Sequence, residues 1–230
     1  SLMLLLSALY LADPERFTVL PALLLVTTLF RLALNISTTR LILVFGEAPS
    51  TVTAFGNFVV GGEFIVGVVL FLIISIVQFI VIAKGAERVA EVAARFTLDA
   101  MPGRQMAIDA DVRAGVINLL EAREQRIELQ RESKLYGALD GAMKFVKGDA
   151  IAALLIIAVN GIAGVLIGIF SHGLSPEDAL KKFTLFTVGD GLVSQIPALL
   201  VAVAAGVTVT RVSQGPGGSF GRELLQQLGS

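Results

Sequence analysis

Long apolar runs with almost no charge are the main pattern along this chain. No charged residue occurs from Phe64 to Ala83, and Asn160 is the only strongly polar side chain between Ala150 and Phe170. A third run, Gly191 to Thr210, is also uncharged. About twenty helical residues reach about 30 Å, which is the thickness of the hydrocarbon core of a bilayer. The pattern therefore predicts three membrane-spanning helices.

A fourth apolar segment, Phe17 to Phe45, is interrupted by polar residues. Arg31 and Asn35 lie four residues apart, so a helix places them on one face, and Thr38 continues that face. A central arginine costs about 2.5–3.5 kcal/mol on insertion scales. We therefore expect a spanning helix whose polar face points to protein or water. The run Leu2–Ala12 is too short to span and is expected to be the end of a truncated helix.

Charge is concentrated in one insert. The chain has 18 basic and 19 acidic residues, and 22 of these lie between Lys84 and Asp149. This region contains 11 lysines and arginines, whereas residues 46–63 contain none. The positive-inside rule then places the insert in the cytoplasm and residues 46–63 outside. Alternation places residues 13–16 and the tail from Arg211 inside, and Ser171–Gly189 outside.

The insert is expected to be helical with one sharp break. Residues after Ala83 continue the preceding helix into water, and Pro102-Gly103 is a turn signal. Leu119 to Leu135 has the pattern of an irregular amphipathic helix. Glycines at 137, 141 and 148 are expected to loosen the approach to the next span.

These elements predict an all-α integral membrane protein, a helical bundle with a cytoplasmic helical insert between spans. Its predicted parts are transmembrane helices in residues 1–83, the insert in 84–147, two transmembrane helices in 148–212 and a cytoplasmic tail in 213–230.

Composition excludes several functional classes. The chain has no Cys and one His, which excludes thiol nucleophiles, zinc ribbons and two-histidine metal motifs. A formal charge of −1 gives no electrostatic basis for binding nucleic acid. No phosphate-binding loop or nucleophile elbow occurs in the sequence. We therefore expect no enzymatic activity, no cofactor and no metal site.

Five segments of the sequence, taken together, are similar to those of a known protein family. They are ERVAEVAARFTLDAMPGRQMAIDAD (87–111), RLALNISTTR (31–40), FGNFVVGG (55–62), DGAMKFVKGDAIA (140–152) and VGDGLVSQIPALL (188–200). Together they resemble the FHIPEP family, the large export-gate subunit of type III secretion systems, over nearly the whole sequence. FGNFVV, ERVAEV and DGAMKFVKGD are more similar to its virulence branch than to its flagellar branch. Arg104 stands where the family usually has Lys, and Glu63 where Asn is common.

The resemblance implies a place in a larger machine. Family members are inner-membrane proteins with eight spanning helices and a large C-terminal cytoplasmic domain, and this sequence would cover helices two (in part) to six. They form a homo-oligomeric ring, usually described as nonameric, with other inner-membrane subunits of the export apparatus. Chaperones and secreted proteins meet the cytoplasmic domain. The membrane part couples proton-motive force to the export of unfolded proteins.

Two acidic residues are candidates for the ion pathway. Asp149 lies at the inner end of a predicted span, five residues after Lys144, and could be a helix N-terminal acid or a proton-accepting carboxylate. The resemblance favours the second interpretation, because an essential lysine and aspartate of the family match Lys144 and Asp149. Asp190, between Gly189 and Gly191 at the outer start of a span, would be costly near hydrocarbon and typical of an ion path. Arg31 is a natural partner for such a carboxylate.

Three further charged residues lie where the third span enters the cytoplasm. Periodicity alone favours a solvated helix face for Arg88, Arg95 and Asp99. Because all three fall inside the segment that resembles the family signature, the resemblance implies a role in coupling or assembly.

Two other functions compete with export. A secondary transporter or ion channel subunit would suit intramembrane Arg and Asp equally well, although no inverted repeat is found among the spans. An intramembrane aspartyl protease is disfavoured, because Thr187 occupies the first Gly of the required GxGD.

Overall fold

The computed structural model describes residues 1–10, 18–60 and 64–212. These residues form seven α-helices, two of which are extended by π-helical turns. The helices are α1 (Leu2–Tyr10), α2 (Leu20–Arg40, extended by a π turn over Leu41–Phe45), α3 (Ser50–Val60), α4 (Phe64–Val77, extended by a π turn over Gln78–Ala83), α5 (Lys84–Arg113), α6 (Leu119–Phe170) and α7 (Pro176–Val212). No strand occurs in the described part of the chain.

Four helices are long and apolar enough to cross a membrane. They cover Leu20–Phe45, Phe64–Arg113, Leu119–Phe170 and Pro176–Thr210. Each contains one of the four predicted spans, so the prediction of an all-α multi-pass membrane protein is confirmed. The short apolar helix α3 was not predicted. It packs against α7 so closely that Gly56 lies against Leu185 and Gly189 against Val52.

The predicted break at Pro102-Gly103 is wrong. Helix α5 continues through Pro102 to Arg113, and the chain reverses only around Gly115, which has a φ of 70°. Proline removes one backbone hydrogen bond, but Pro102 and Leu98, whose carbonyl loses its partner, are both exposed. Water can therefore satisfy that carbonyl.

The prediction that glycines 137, 141 and 148 loosen the helix before the next span is also wrong. Helix α6 runs unbroken for 52 residues from Leu119. Its start is fixed by a capping box, in which Asn118 Oδ1 accepts from the backbone N–H of Glu121 and Glu121 Oε2 accepts from that of Asn118. Buried residues such as Leu139 and Met143 hold the glycine-containing stretch in the bundle. Tertiary packing here outweighs local propensity.

Two further boundaries differ from expectation. Ser171–Gly189 is not a loop, because α7 begins at Pro176, and Asp190 therefore lies well inside a helix rather than at its start. The helix before residue 83 continues into α5, as predicted, whereas the predicted division after residue 147 falls inside α6. The predicted segments 13–16 and 213–230, and Glu63, lie outside the described residues.

The largest buried cluster joins α1, α2, α5, α6 and α7. Leu20 and Leu24 of α2 pack in it with Leu139 and Met143 of α6 and with Val201 of α7. This packing places α2, α6 and α7 side by side and brings their polar residues into the bundle interior.

Candidate polar core of the helix bundle

An ion pair lies at the centre of the bundle. Arg31 and Asn35 lie on the buried polar face of α2, as the spacing predicted, and Thr38 is partly buried. Thr28, which was not predicted, extends this face. Nη1 of Arg31 lies 2.5 Å from Oδ2 of Asp149 on α6, and the two side chains are 8% and 5% exposed. The other oxygen of Asp149, Oδ1, is buried with no hydrogen-bond partner among the described residues. Arg31 therefore faces protein, and its partner is Asp149.

The position of Asp149 within α6 rules out its interpretation as a helix N-terminal acid. Asp149 lies deep within α6, which begins at Leu119. Its neighbour Lys144, expected to pair with it, donates to Asp140 Oδ2 at 2.8 Å and is exposed. Five residues turn a helix by about 140°, so the two side chains point to different faces.

The backbone of α7 takes part in the site. Arg31 Nη2 donates to the carbonyl of Ser194 at 3.2 Å, and Gln78 Nε2 donates to the carbonyl of Gln195 at 2.9 Å. Both carbonyls lie just before Pro197, which lacks an N–H and disturbs the helix ladder at this point. The turn of α7 before Pro197 is thus held by side chains from α2 and from the π turn that extends α4.

A cavity adjoins the ion pair. About 510 Å³ of empty space, part of it open to the surroundings, lies between α2, α4, α6 and α7. Its walls are mostly apolar, with a few polar groups: Arg31, Ser75, Gln78, Ser194 and Gln195. Gln195 Nε2 donates to Ser75 Oγ at 2.6 Å, while Gln195 Oε1 is buried without a partner among the described residues. A water molecule could supply that missing donor.

A second polar layer lies further along α2. The carboxylate of Asp190 on α7 lies near the side chain of Thr38, whose hydroxyl donates to the backbone carbonyls of Leu34 and Asn35. In the same layer, Asn160 Nδ2 donates to Thr39 Oγ1 at 3.2 Å. Asp190 is 5% exposed and forms no ion pair with any described residue. Arg31 is thus paired with Asp149 and not with Asp190. The flanking glycines of Asp190 permit close packing, since a Cβ on Gly191 would lie 2.5 Å from the Phe71 ring.

The charged residues of the signature lie apart from this core. Arg88 pairs with Glu91 at 2.7 Å, and Arg95 lies 3.7 Å from Asp99. All four side chains are at least half exposed. The structure does not bring them to the Arg31–Asp149 pair, and their role in coupling or assembly stays a prediction.

Three polar residues of the site, Ser75, Gln78 and Gln195, were not predicted from the sequence. Each is a polar residue within an otherwise apolar run, and that signal could have indicated them. Their mutual contacts could not be read from the sequence, because they join α4 to a distant part of α7.

The assembled groups can hold and exchange a proton. The carboxylate of Asp149 has one oxygen on Arg31 and one unpartnered oxygen that can accept a proton, and Arg31 lines the adjacent cavity. No group of three or more His, Cys, Asp and Glu side chains that could hold a metal ion occurs among the described residues.

Comparison with known proteins gives close relatives. The chain is 58% identical over 228 residues to Low calcium response locus protein D of Yersinia pestis, covering 99% of the chain and 32% of that protein. It is 55% identical over 233 residues to Hypersensitivity response secretion protein HrpI of Pseudomonas syringae pv. syringae, covering 100% and 34%. It is 54% identical over 228 residues to Flagellar biosynthesis protein FlhA of Bacillus subtilis, covering 99% and 33%.

The chain therefore spans about a third of the length of the curated relatives it matches. Identity to the flagellar relative is nearly as high as to the others, so the choice of branch stays a prediction. No solved structure matches the chain. The FHIPEP family matches residues 1–230, as the resemblance predicted. This chain belongs to the FHIPEP family.

Proposed function

We propose that this chain is the membrane-embedded part of an export-gate component of a bacterial type III secretion system, located in the inner membrane. Relatives named for secretion and for flagellar biosynthesis, at 55% and 54% identity, support a role in protein export. We propose further that the chain couples proton-motive force to the export of unfolded proteins.

The buried ion pair between Arg31 and Asp149 is the observation that carries this proposal. Ionised side chains inside a membrane protein are costly and typically mark ion pathways. Arg31 of this pair lines a mostly apolar cavity that has a few polar groups in its walls, and Asp149 Oδ1 has no hydrogen-bond partner among the described residues and is available to accept a proton. The site thus has a proton acceptor, an opposing cation and room for water.

Proton transfer would change the packing of helices. A proton on Asp149 Oδ1 removes the negative charge that compensates Arg31, and a buried charge without its partner costs several kcal/mol. Arg31 also holds the Ser194 carbonyl, three residues before Pro197 in α7. When the carboxylate is neutral, Arg31 is driven towards other acceptors, and the α2–α7 contact changes with it. Loss of the proton restores the original contact.

The same proposal includes the proteins with which this chain assembles. We propose that the chain assembles into a homo-oligomeric, nonameric ring with other inner-membrane subunits of the export apparatus. Secreted proteins and their chaperones would be received mainly by a cytoplasmic domain. The energy would come from the ion gradient, since the chain contains no nucleotide-binding motif.

A secondary transporter or ion channel subunit is the alternative function. Its polar core would look the same, because buried charged residues also serve the transport of small solutes. The names of the relatives favour export.

Substitution of Asp149 in the full-length protein tests the proposal. Asp149→Asn keeps the size but cannot exchange the proton, so export should stop while the protein still inserts and assembles. Asp149→Glu keeps an ionisable group and should retain part of the export. Asp140→Asn is a matched control at a carboxylate that pairs with exposed Lys144.

Secretion of substrate into the medium and proton uptake by vesicles containing each variant are the two measurements. Near-normal export by Asp149→Asn would contradict proton coupling at this residue. Loss of proton uptake with normal export would favour the alternative of an ion channel.

A further inference from the structure

Val26 and Lys144 are exposed at the same position along the axis of the bundle, here called their level, and one is apolar whereas the other is charged. Contacts of Arg31 with Asp149 and of Thr39 with Asn160 show that α2 and α6 run in the same direction. Val26 lies five residues before Arg31, and Lys144 lies five residues before Asp149. Each is therefore about 7.5 Å from the ion pair, towards the same end of the bundle. Val26 is 64% exposed, and the side chain of Lys144 is 62% exposed.

The flank that contains Val26 is apolar throughout this level. Neighbouring side chains on α2 and all the large exposed side chains of α1 are hydrophobic or aromatic. They are Leu2, Met3, Leu6, Tyr10, Val19, Leu23, Leu29 and Phe30. Helix α1 belongs to this level because Leu4 and Ala8 pack in the same buried cluster as Leu20 and Leu24. So large an apolar surface is typical of contact with lipid.

The flank that contains Lys144 is charged at the same level. It contains the exposed pair Arg88–Glu91, the pair Lys144–Asp140 and the pair Lys147–Glu87 at 2.9 Å. Ala90 packs in the same cluster as Leu24, so this part of α5 lies at the level of the N-terminal turns of α2. Exposed charges of both signs are too costly to face hydrocarbon.

We propose that the charged flank of α5 and α6 faces a water-filled space within the thickness of the bilayer, while α1 and α2 face lipid. Lipid cannot border the charged flank, so further protein must enclose that space on its other side. This inference deepens the proposed export function by identifying which surface of the chain borders an aqueous path. It requires no assumption about proton coupling.

Spin labels at paired positions test the inference without any measurement of export. The full-length protein carries a single cysteine, at Val26→Cys or Lys144→Cys, and is labelled with a nitroxide and reconstituted into lipid vesicles. Glu91→Cys provides a second position on the charged flank. Collision with oxygen reports lipid exposure, and collision with a water-soluble nickel chelate reports water exposure.

We expect the label at Val26 to show high oxygen and low nickel accessibility, and the labels at Lys144 and Glu91 to show the reverse, with at least a fivefold difference in the ratio. High nickel accessibility at Val26 would place this level outside the bilayer and overturn the inference. High oxygen accessibility at Lys144 and Glu91 would place lipid there, and low accessibility to both reagents would place protein there. Either result would also overturn it. Because export is not measured, failure here leaves the proposed function to its own test.

Discussion

Oδ2 of Asp149 lies 2.5 Å from Nη1 of Arg31, and both side chains are buried at the contact between α2 and α6. The same arginine reaches the Ser194 carbonyl of α7. One guanidinium therefore ties three helices together and depends on one carboxylate for its charge balance.

Removal of the two partners should have unequal effects on stability. Asp149→Leu leaves a buried arginine that cannot lose its proton, so we expect a loss of about 3–5 kcal/mol in unfolding free energy. Arg31→Leu leaves a carboxyl group that can become neutral by binding a proton, so the loss should be smaller. The double variant has no charged group at the α2–α6 contact and should regain most of the lost stability. None of the three should export normally.

Thermal unfolding of the purified full-length variants in detergent gives the order of stability. Secretion assays, with membrane levels checked by blotting, give the second readout. A double variant no more stable than Asp149→Leu would contradict the pairing, and normal secretion by Arg31→Leu would show that the arginine is merely tolerated.

Close packing of α3 against α7 gives a prediction with an internal control. A Cβ on Gly189 would lie 2.0 Å from the Val52 carbonyl oxygen, and a Cβ on Gly56 would lie 2.4 Å from that of Leu185. Backbone atoms cannot move aside cheaply, so Gly189→Ala should cost at least about 1–3 kcal/mol. Gly137→Ala is the control, because nothing lies within 4 Å of its added Cβ and alanine favours a helix. Thermal unfolding of both variants should show a clear fall for the first and no fall for the second; equal values would contradict the α3–α7 contact.

The orientation of the hairpin formed by α5 and α6 can be tested at its tip. Arg113 ends α5 and is exposed, and its Nε donates to the Asp109 carbonyl at 3.1 Å. A cysteine at Arg113 should react with an impermeant thiol reagent in inverted vesicles and remain unlabelled in intact cells. The basic excess of the insert is the reason, since it favours the cytoplasm. Efficient labelling in intact cells would reverse the predicted topology.

The sequence was sufficient to predict the spans and to predict that Arg31 lies on the inward face of α2. Hydrocarbon thickness sets the length of an apolar run, and the four-residue spacing of Arg31 and Asn35 fixes their common face. The partner of Arg31 could not be predicted, because Lys144 is much closer to Asp149 along the chain. Only the side-by-side packing of α2 and α6 shows that Asp149 turns inward and Lys144 outward.

The wrong boundaries have a common cause. Pro102, Gly141 and Gly148 are poor helix residues, and their local propensity predicted breaks that are absent. In α5 the affected carbonyl is open to solvent, and in α6 residues such as Met143 and Val146 bury enough surface to hold the helix. Local signals could not show this support, because it comes from α2 and α7.

Asp190 offers a test of the second polar layer. Its carboxylate is buried, lies near the Thr38 side chain and has no cationic partner among the described residues. Asparagine keeps the size without a charge to bury, so Asp190→Asn should be at least as stable as the wild type. If Asp190 takes part in proton transfer along the bundle, export by this variant should fall at least tenfold.

Thr38→Val is the matched control for Asp190→Asn, because it removes the neighbouring hydroxyl, which bonds to the carbonyls of Leu34 and Asn35, and leaves the carboxylate. It should lower thermal stability while retaining more export than Asp190→Asn. Unfolding temperature and secreted protein are measured for both variants at equal membrane levels. A stable Asp190→Asn protein that exports normally would assign Asp190 to packing between α2 and α7 and limit proton transfer to the Arg31–Asp149 layer.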